Sequence, residues 1–456
     1  MRLMARWVAL FVAFSLAGGA CGEAQQTAPQ RLTLREAIVL ALKQNLSVRV
    51  ASAQEEESEG TRARRRAALL PRVNGEALAN RQNIDLAAMG ISFPKISLPT
   101  VGFSFAVPSV VGPFAHYDSR LSASQSLIDR HAYHNWKASE RQEEAAKLNY
   151  QDARDLVVRQ AAGLYLDSQA SVAEVEAAES RVTTSQTLEQ LARDQHAQGL
   201  ATAVDVVRAQ VQLARDQQNL LVARNAYQTS LLAFAHFLGL SPGTPLELAE
   251  PLKFHHVESA GPDQALRSAL LARSDYAALL KQRESLLEQL KASRARYYPI
   301  LSVNADYGAI GRQFSSMAGT GEVQGTLTVS LFDRDRAGEK TELQSQLKRL
   351  DAQIDDLNRE IEQELRTALL DLESTESQVS VTEAALHLAE RELNLAQDRF
   401  RNGVTDNIEV VTAQATLASA QDDRIMALAR HADAIMAFVR SLGGSEKIYQ
   451  IYVAEP

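Results

Sequence analysis

The feature that most limits what this chain can fold into is a long internal repeat. Gly199-Leu-Ala-Thr-Ala-Val-Asp-Val-Val-Arg-Ala-Gln210 returns as Gly403-Val-Thr-Asp-Asn-Ile-Glu-Val-Val-Thr-Ala-Gln414, 204 residues later. The same offset pairs Ser126-Leu127 with Ser330-Leu331 and Asp129-Arg130 with Asp333-Arg334. It also pairs Ala233-Phe234 with Ala437-Phe438 and Leu238-Gly239 with Leu442-Gly443. A register kept without insertion over that distance means one architecture built twice. Each copy carries the chemistry of a tight turn between helices. Gly199 and Gly403 suit the left-handed residue that ends a helix. Thr202 or Asp406 then supplies an N-cap, and Asp205 or Glu409 follows at capping-box spacing.

Upstream, the repeat continues at a different offset. Thr33 and Glu36 have capping-box spacing and open a helix over 34–70, which Pro71 ends. Its partner spans 263–298 and ends at Pro299, an offset of 228 that pairs Ala37 with Ala265 and Ala67 with Ala295. After each proline the hydrophobic period falls from 3.6 to 2. Val323, Leu327, Val329 and Leu331 share one face of 322–331, opposite Glu322, Gln324, Thr326 and Thr328. Leu301, Val303, Ala305 and Tyr307 alternate with Ser302, Asn304 and Asp306, and weaker alternation runs over 73–81 and 117–127. Four amphipathic strands in two hairpins (72–128 and 300–332) are expected. A Gly/Ser loop at 312–321 closes one, and a long proline-containing loop at 82–116 closes the other.

Long helices follow each hairpin, over 132–196 and 337–401. The second has a stripe from Leu343 through Leu350, Ile354, Ile361, Leu365, Leu372, Val379 and Leu393 to Phe400, with steps of four and three and one stutter at Ile361–Leu365. At 1.5 Å per residue such a helix is roughly 95 Å long, which no ordinary globular domain requires. Return helices span 202–238 and 406–442. The composition agrees, with 45% hydrophobic but only 6% aromatic residues, a balance for long helices meeting through narrow stripes.

Residues 1–20 read as an export signal, with Arg2 and Arg6 before an apolar run too short to span a bilayer. Removing those arginines takes the formal charge from −8 to −10, which argues against a nucleic-acid partner. Cys21 is the only cysteine, so no intrachain disulfide is possible. Its place after Ala20 fits a lipidated N-terminus, although Gly18 stands where leucine is usual, and ordinary cleavage nearby is the other reading. The remaining divisions are a first repeat (21–239), an equatorial linker (240–262), a second repeat (263–444) and a C-terminal tail (445–456). Strands of ~10 residues are long enough to cross a membrane, but four cannot close a barrel and an open edge is forbidden in lipid. Three chains would give twelve strands.

These residues resemble the TolC-like outer-membrane efflux proteins. The likeness rests on the two-fold repeat, on Ser-Leu-Phe-Asp-Arg-Asp-Arg-Ala-Gly at 330–338, and on the tips where glycine precedes an acid and valine. It implies a mainly α fold with a small β part: long antiparallel helical hairpins forming an α-barrel tunnel, plus four transmembrane strands per chain in a trimeric 12-stranded β-barrel. It implies a homotrimer in the outer membrane, its tunnel in the periplasm, working with a periplasmic adaptor protein and an inner-membrane pump. By the same resemblance Gly199, Leu200, Gly403 and Val404 match the turns that an adaptor engages, and Asp205 and Glu409 match acids near the entrance. Thr405 and Phe400 stand where some members have arginine and tyrosine, so closure is expected to rely on Phe400 and tip packing. Rings of Asp205 and Glu409 would favour cations.

No phosphate loop, catalytic triad or metal spacing is present, so neither an enzyme nor a bound cofactor is expected. His131 with His134, and His255 with His256, lack further ligands and read as surface histidines. Arg62, Arg64, Arg65 and Arg66 read as a solvated helix end, with outer-membrane lipid head groups the alternative contact. The competing function is a periplasmic coiled-coil tether anchored to the outer membrane, which would not need four matched strands.

Overall fold

The computed structural model describes residues 30–92, 96–98, 103–105, 108–258 and 261–453. The export segment and Cys21 lie outside the described residues. In chain order the elements begin with β1 (Gln30–Leu32), α1 (Leu34–Gln44), α2 (Leu46–Ala67), β2 (Arg72–Asp85), β3 (Ile96–Leu98), β4 (Phe103–Phe105) and β5 (Val110–Ile128). Helices α3 (Arg130–Ala197) and α4 (Ala203–Phe237) complete the first repeat, and β6 (Leu246–Leu248) follows. The second repeat has α5 (Pro262–Ala272), α6 (Ser274–Ala295), β7 (Ile300–Gly311), β8 (Ala318–Thr328), α7 (Asp335–Arg401) and α8 (Asn407–Leu442), and α9 (Ser445–Val453) closes the chain. The fold is mainly helical with a small β part.

The chain divides into two units. Among the described residues, one gathers 30–41, Ala161–Phe254 and Val379–Arg430; the other gathers those within 42–160, 255–378 and 431–453. In the first, β1 pairs parallel with β6, joining Leu32 to Leu248. So the stretch read as a linker is fastened to the N-terminal segment. Tyr165 of α3 is buried against Phe234, and its hydroxyl donates to the Leu32 carbonyl at 3.2 Å. The Gln169 amide donates to the Glu250 carbonyl at 2.6 Å.

The second unit holds a four-stranded antiparallel sheet in the order β2-β5-β7-β8. Its register places Val73 opposite Ala123, Ala123 opposite Ala305, and Ala305 opposite Val323. One face therefore carries Val73, Leu121, Tyr307, Val323 and Leu327, all exposed. The other face carries Glu76, Asp118, Arg120, Asp306 and Glu322. Arg120 donates to Asp118 at 2.8 Å and to Asp306 at 2.9 Å. Among the described residues, β2 and β8 are the sheet's two unpaired edges.

Several expectations need correction. The helices read as 34–70 and 263–298 are each broken, at Asn45 and at Arg273, positions that the offset of 228 superposes. Asn45 takes an extended conformation, and its side-chain oxygen accepts the Ser47 N–H at 2.8 Å, capping α2. Arg273 is also extended, and its buried guanidinium is held by Asp275 at 2.6 Å and by Glu364. Neither proline nor glycine marks these breaks. β2 and β5 reach to Asp85 and back from Val110, well into the stretch read as a loop over 82–116. β8 begins at Ala318, which shortens the Gly/Ser loop to a few residues around the 3-10 turn Phe314–Ser316. The tail forms α9, whose first turn is capped by Asp155 accepting the Glu446 N–H at 2.8 Å.

His256 is exposed, as read, whereas His131 and His134 are half-buried. His131 meets the Ala292 carbonyl at 2.9 Å and His134 meets Glu288 at 2.8 Å, both on α6. Of the arginine run, Arg62 pairs with buried Glu143 at 2.6 Å. The stripe on α7 lies where the heptad steps put it: Leu343, Leu350, Ile354, Ile361, Leu365, Leu372, Val379, Leu393 and Phe400 are all buried. At the strand-to-helix junction, buried Arg336 donates to the Ser330 carbonyl at 3.4 Å and stacks 4.5 Å over Tyr297.

Candidate functional site at the hairpin tips

Each helical hairpin of the first unit reverses at its glycine. Gly199 and Gly403 have φ of 78° and 67°. The Leu200 N–H returns to the Gln195 carbonyl at 2.8 Å, and the Val404 N–H to the Arg399 carbonyl at 3.0 Å, closing both helix ends. The residues beyond the turns are apolar and face solvent: Leu200 is 64% and Val404 67% exposed, with Val204 and Ile408 also exposed.

The two acids differ in their surroundings. Asp205 completes a capping box, accepting the Thr202 N–H at 2.9 Å, while its own N–H donates to the Thr202 hydroxyl at 3.4 Å. The carboxylate also accepts from Arg208 at 3.1 Å, and the residue is buried. Burial pushes the Asp205 carboxyl up, but the Thr202 hydroxyl and N–H and the Arg208 charge outweigh it and hold the pKa below the ordinary aspartate value. Glu409 does not repeat this arrangement. Asp406 caps α8 alone, accepting the Ile408 N–H at 3.2 Å, and Glu409 pairs instead with Arg399 at 2.7 Å.

The tips are tied to each other. Asn407, fully buried, donates to the Asp205 carbonyl at 2.7 Å and accepts from Arg208 at 2.9 Å. Gln195 donates to the Phe400 carbonyl at 3.0 Å. The Phe400 ring, 3% exposed, packs with Leu188, Leu393, Ala396, Val410 and Ala413 within this one chain. Asn407, Arg208 and Gln195 are absent from the sequence-based site. A signal for them existed: the offset of 204 aligns Asn407 with Ala203, Arg208 with Thr412 and Gln195 with Arg399. The copies diverge where one must complement the other.

Among the described residues no group of His, Cys, Asp and Glu could hold a metal ion, and no helix is long and apolar enough to cross a membrane. The site is a packed polar junction behind an apolar tip.

Comparison with known proteins adds three findings. The family model for outer membrane efflux proteins matches residues 37–240 and 265–444. The probable efflux pump outer membrane protein TtgC of Pseudomonas putida is 24% identical over 315 residues, 66% of this chain and 60% of that protein. The match thus spans less than two thirds of the curated relative's length. Among solved structures, the outer membrane protein VceC of Vibrio cholerae superposes with a TM-score of 0.75 at 20% identity, over 90% of this chain and 96% of that one. The CmeC outer membrane channel of Campylobacter jejuni superposes with a TM-score of 0.76 at 16% identity, over 90% of this chain and 86% of that one.

Proposed function

The chain belongs to the outer membrane efflux protein family, and we propose that it is the exit channel of a tripartite efflux pump or type I secretion system. Membership places it among channel proteins rather than enzymes. In this reading three chains assemble in the outer membrane and passively conduct substrates delivered by an inner-membrane pump through a periplasmic adaptor. The observation that carries it is the sheet. Four strands with one apolar, exposed face and two unpaired edges cannot rest in lipid alone, because each edge leaves a row of backbone groups unbonded. Pooling β2-β5-β7-β8 from three chains removes every edge, with the Arg120 face turned to the lumen.

The tips then take two roles. Leu200 and Val404, exposed beside Gly199 and Gly403, form the apolar contact for the adaptor. Glu409 with Arg399 sets the charge of the periplasmic aperture, while Asp205 and Phe400 act from behind by holding the hairpin ends in place.

The test is fractionation and gel mobility. An outer-membrane protein that needs detergent, runs as a trimer unheated and as a monomer after heating, and conducts ions in planar bilayers supports the channel. A detergent-free soluble monomer would instead support the periplasmic tether.

A further inference from the structure

Eleven residues beyond Asp205, about 16 Å along α4, the helices of the first unit enclose a small polar cavity of about 40 Å³. Ser185 of α3, Gln212 and Asp216 of α4, Leu393 of α7, and Gln414 and Gln421 of α8 line it. Asp216 is 6% and Gln414 8% exposed. The Asp216 carboxylate accepts from the Ser185 hydroxyl and, at 3.2 Å, from the Gln212 amide, and among the described residues it has no ion pair. Arg181 also borders the cavity, but its guanidinium is held by Asp422 at 2.7 Å and by the Ala177 carbonyl at 3.3 Å. One negative charge is therefore left over inside the helical packing, where a buried charge needs a compensating partner.

The atoms that could hold such a partner are at hand. Gln414 Oε1 and Nε2 and Gln421 Oε1 are buried without a hydrogen-bond partner among the described residues. Gln414 and Gln421 are seven residues apart, two turns along one face of α8. The packing layer does not itself require polar groups. The offset of 204 places Ala389 and Ala420 where the first repeat has Ser185 and Asp216, and both alanines are buried. One copy of the architecture closes this layer with methyl groups, and the other fills it with a carboxylate facing unpaired amides.

We propose that this cavity binds a hard monovalent cation, with sodium as the probe, through an Asp216 carboxylate oxygen and the side-chain carbonyl oxygens of Gln414 and Gln421. The volume admits about three water-sized species, an ion and two waters. Those waters complete the ion's shell and accept from the Gln414 amide. A donor set made only of oxygen suits a hard ion. A single carboxylate falls short of the set that a calcium site assembles. Water alone would satisfy the amides and leave the Asp216 charge unanswered. The ion joins α4 of one hairpin to α8 of the other, and the inference stands apart from the channel reading.

The experiment is hydrogen exchange of the detergent-purified full-length protein in sodium chloride against choline chloride at equal ionic strength. With sodium at about ten times its dissociation constant, the amides of 181–190, 210–218 and 412–422 are expected to exchange roughly tenfold more slowly than in choline. The slowing saturates with sodium concentration, and 275–290 in the other unit does not respond. Ser185→Ala/Asp216→Ala rebuilds the alanine layer of the second repeat and is expected to fold and to lose the sodium response. Equal exchange of the wild type in the two salts overturns the proposal and leaves a cavity filled by water. Slowing that extends to 275–290 overturns it as a general salt effect, and so does a sodium response kept by the double variant. Should that variant fail to fold, the isosteric Asp216→Asn takes its place: loss of the response supports the site, and a response equal to wild type overturns it.

Discussion

Thr202 and Asp205 exchange bonds at the first turn of α4, and Arg208 and Asn407 add bonds from either side. Asp205→Ala is expected to cost about 1–2 kcal/mol locally, read as faster hydrogen exchange of the amides at 203–206 than in wild type. Because the folded Asp205 pKa is lowered, its contribution is present above the unfolded value of ~3.9 and is lost as pH falls below it. The exchange difference between wild type and Asp205→Asn should therefore shrink on acidification through that range; a difference independent of pH would contradict the assignment. Glu409 has no such structural duty. Glu409→Gln leaves the Arg399 charge uncompensated, so the reversal potential in planar bilayers should shift toward anions, and an unchanged potential would remove Glu409 from the aperture. Part of what separates these two acids is local, since Arg208 stands three residues after Asp205 where Thr412 follows Glu409. Their partners, Asn407 and Arg399, are set by the packing of one repeat on the other and by an ion pair across the turn.

Among the elements, the long helix α7 of the second repeat was the most legible. The α7 stripe is large and aliphatic, so its buried face follows from heptad spacing alone. The breaks at Asn45 and Arg273 were illegible for a physical reason. Arginine is a good helix former, and its break is held by the carboxylates of Asp275 and Glu364, whereas Asn45 is a preferred N-cap whose bond to Ser47 is local and was hidden only by the continuous apolar spacing around it. Gly443 shows how closely the second break is packed. A Cβ there would lie 2.8 Å from the Arg273 nitrogen, whereas one at Gly403 would meet nothing within 4 Å. Both glycines have positive φ. Gly403→Ala should thus show only the left-handed penalty of about 1 kcal/mol, and Gly443→Ala roughly 2–3 kcal/mol or more. Thermal unfolding of the two variants checks this; equal losses would mean that the Arg273 break yields freely.

At the scale of the whole molecule, the strand pattern announced two hairpins, but their union through β5 and β7 into a single sheet depends on pairing between segments far apart in the chain. The two faces of that sheet give a direct test. Val323→Lys places a charge on the apolar face, at an expected cost of about 2–4 kcal/mol near the bilayer midplane, while Gln324→Lys on the opposite face should be tolerated. The yield of heat-modifiable trimer from each variant reads the difference, and equal yields would mean that the faces are assigned wrongly. The bonds from Gln195 to the Phe400 carbonyl and from Asn407 to the Asp205 carbonyl have a consequence for any dilation of the passage. In the trimer proposed above they would splice the two ends of each chain, so that six hairpins swing as three stiff leaves, and cutting either splice would let the leaves split.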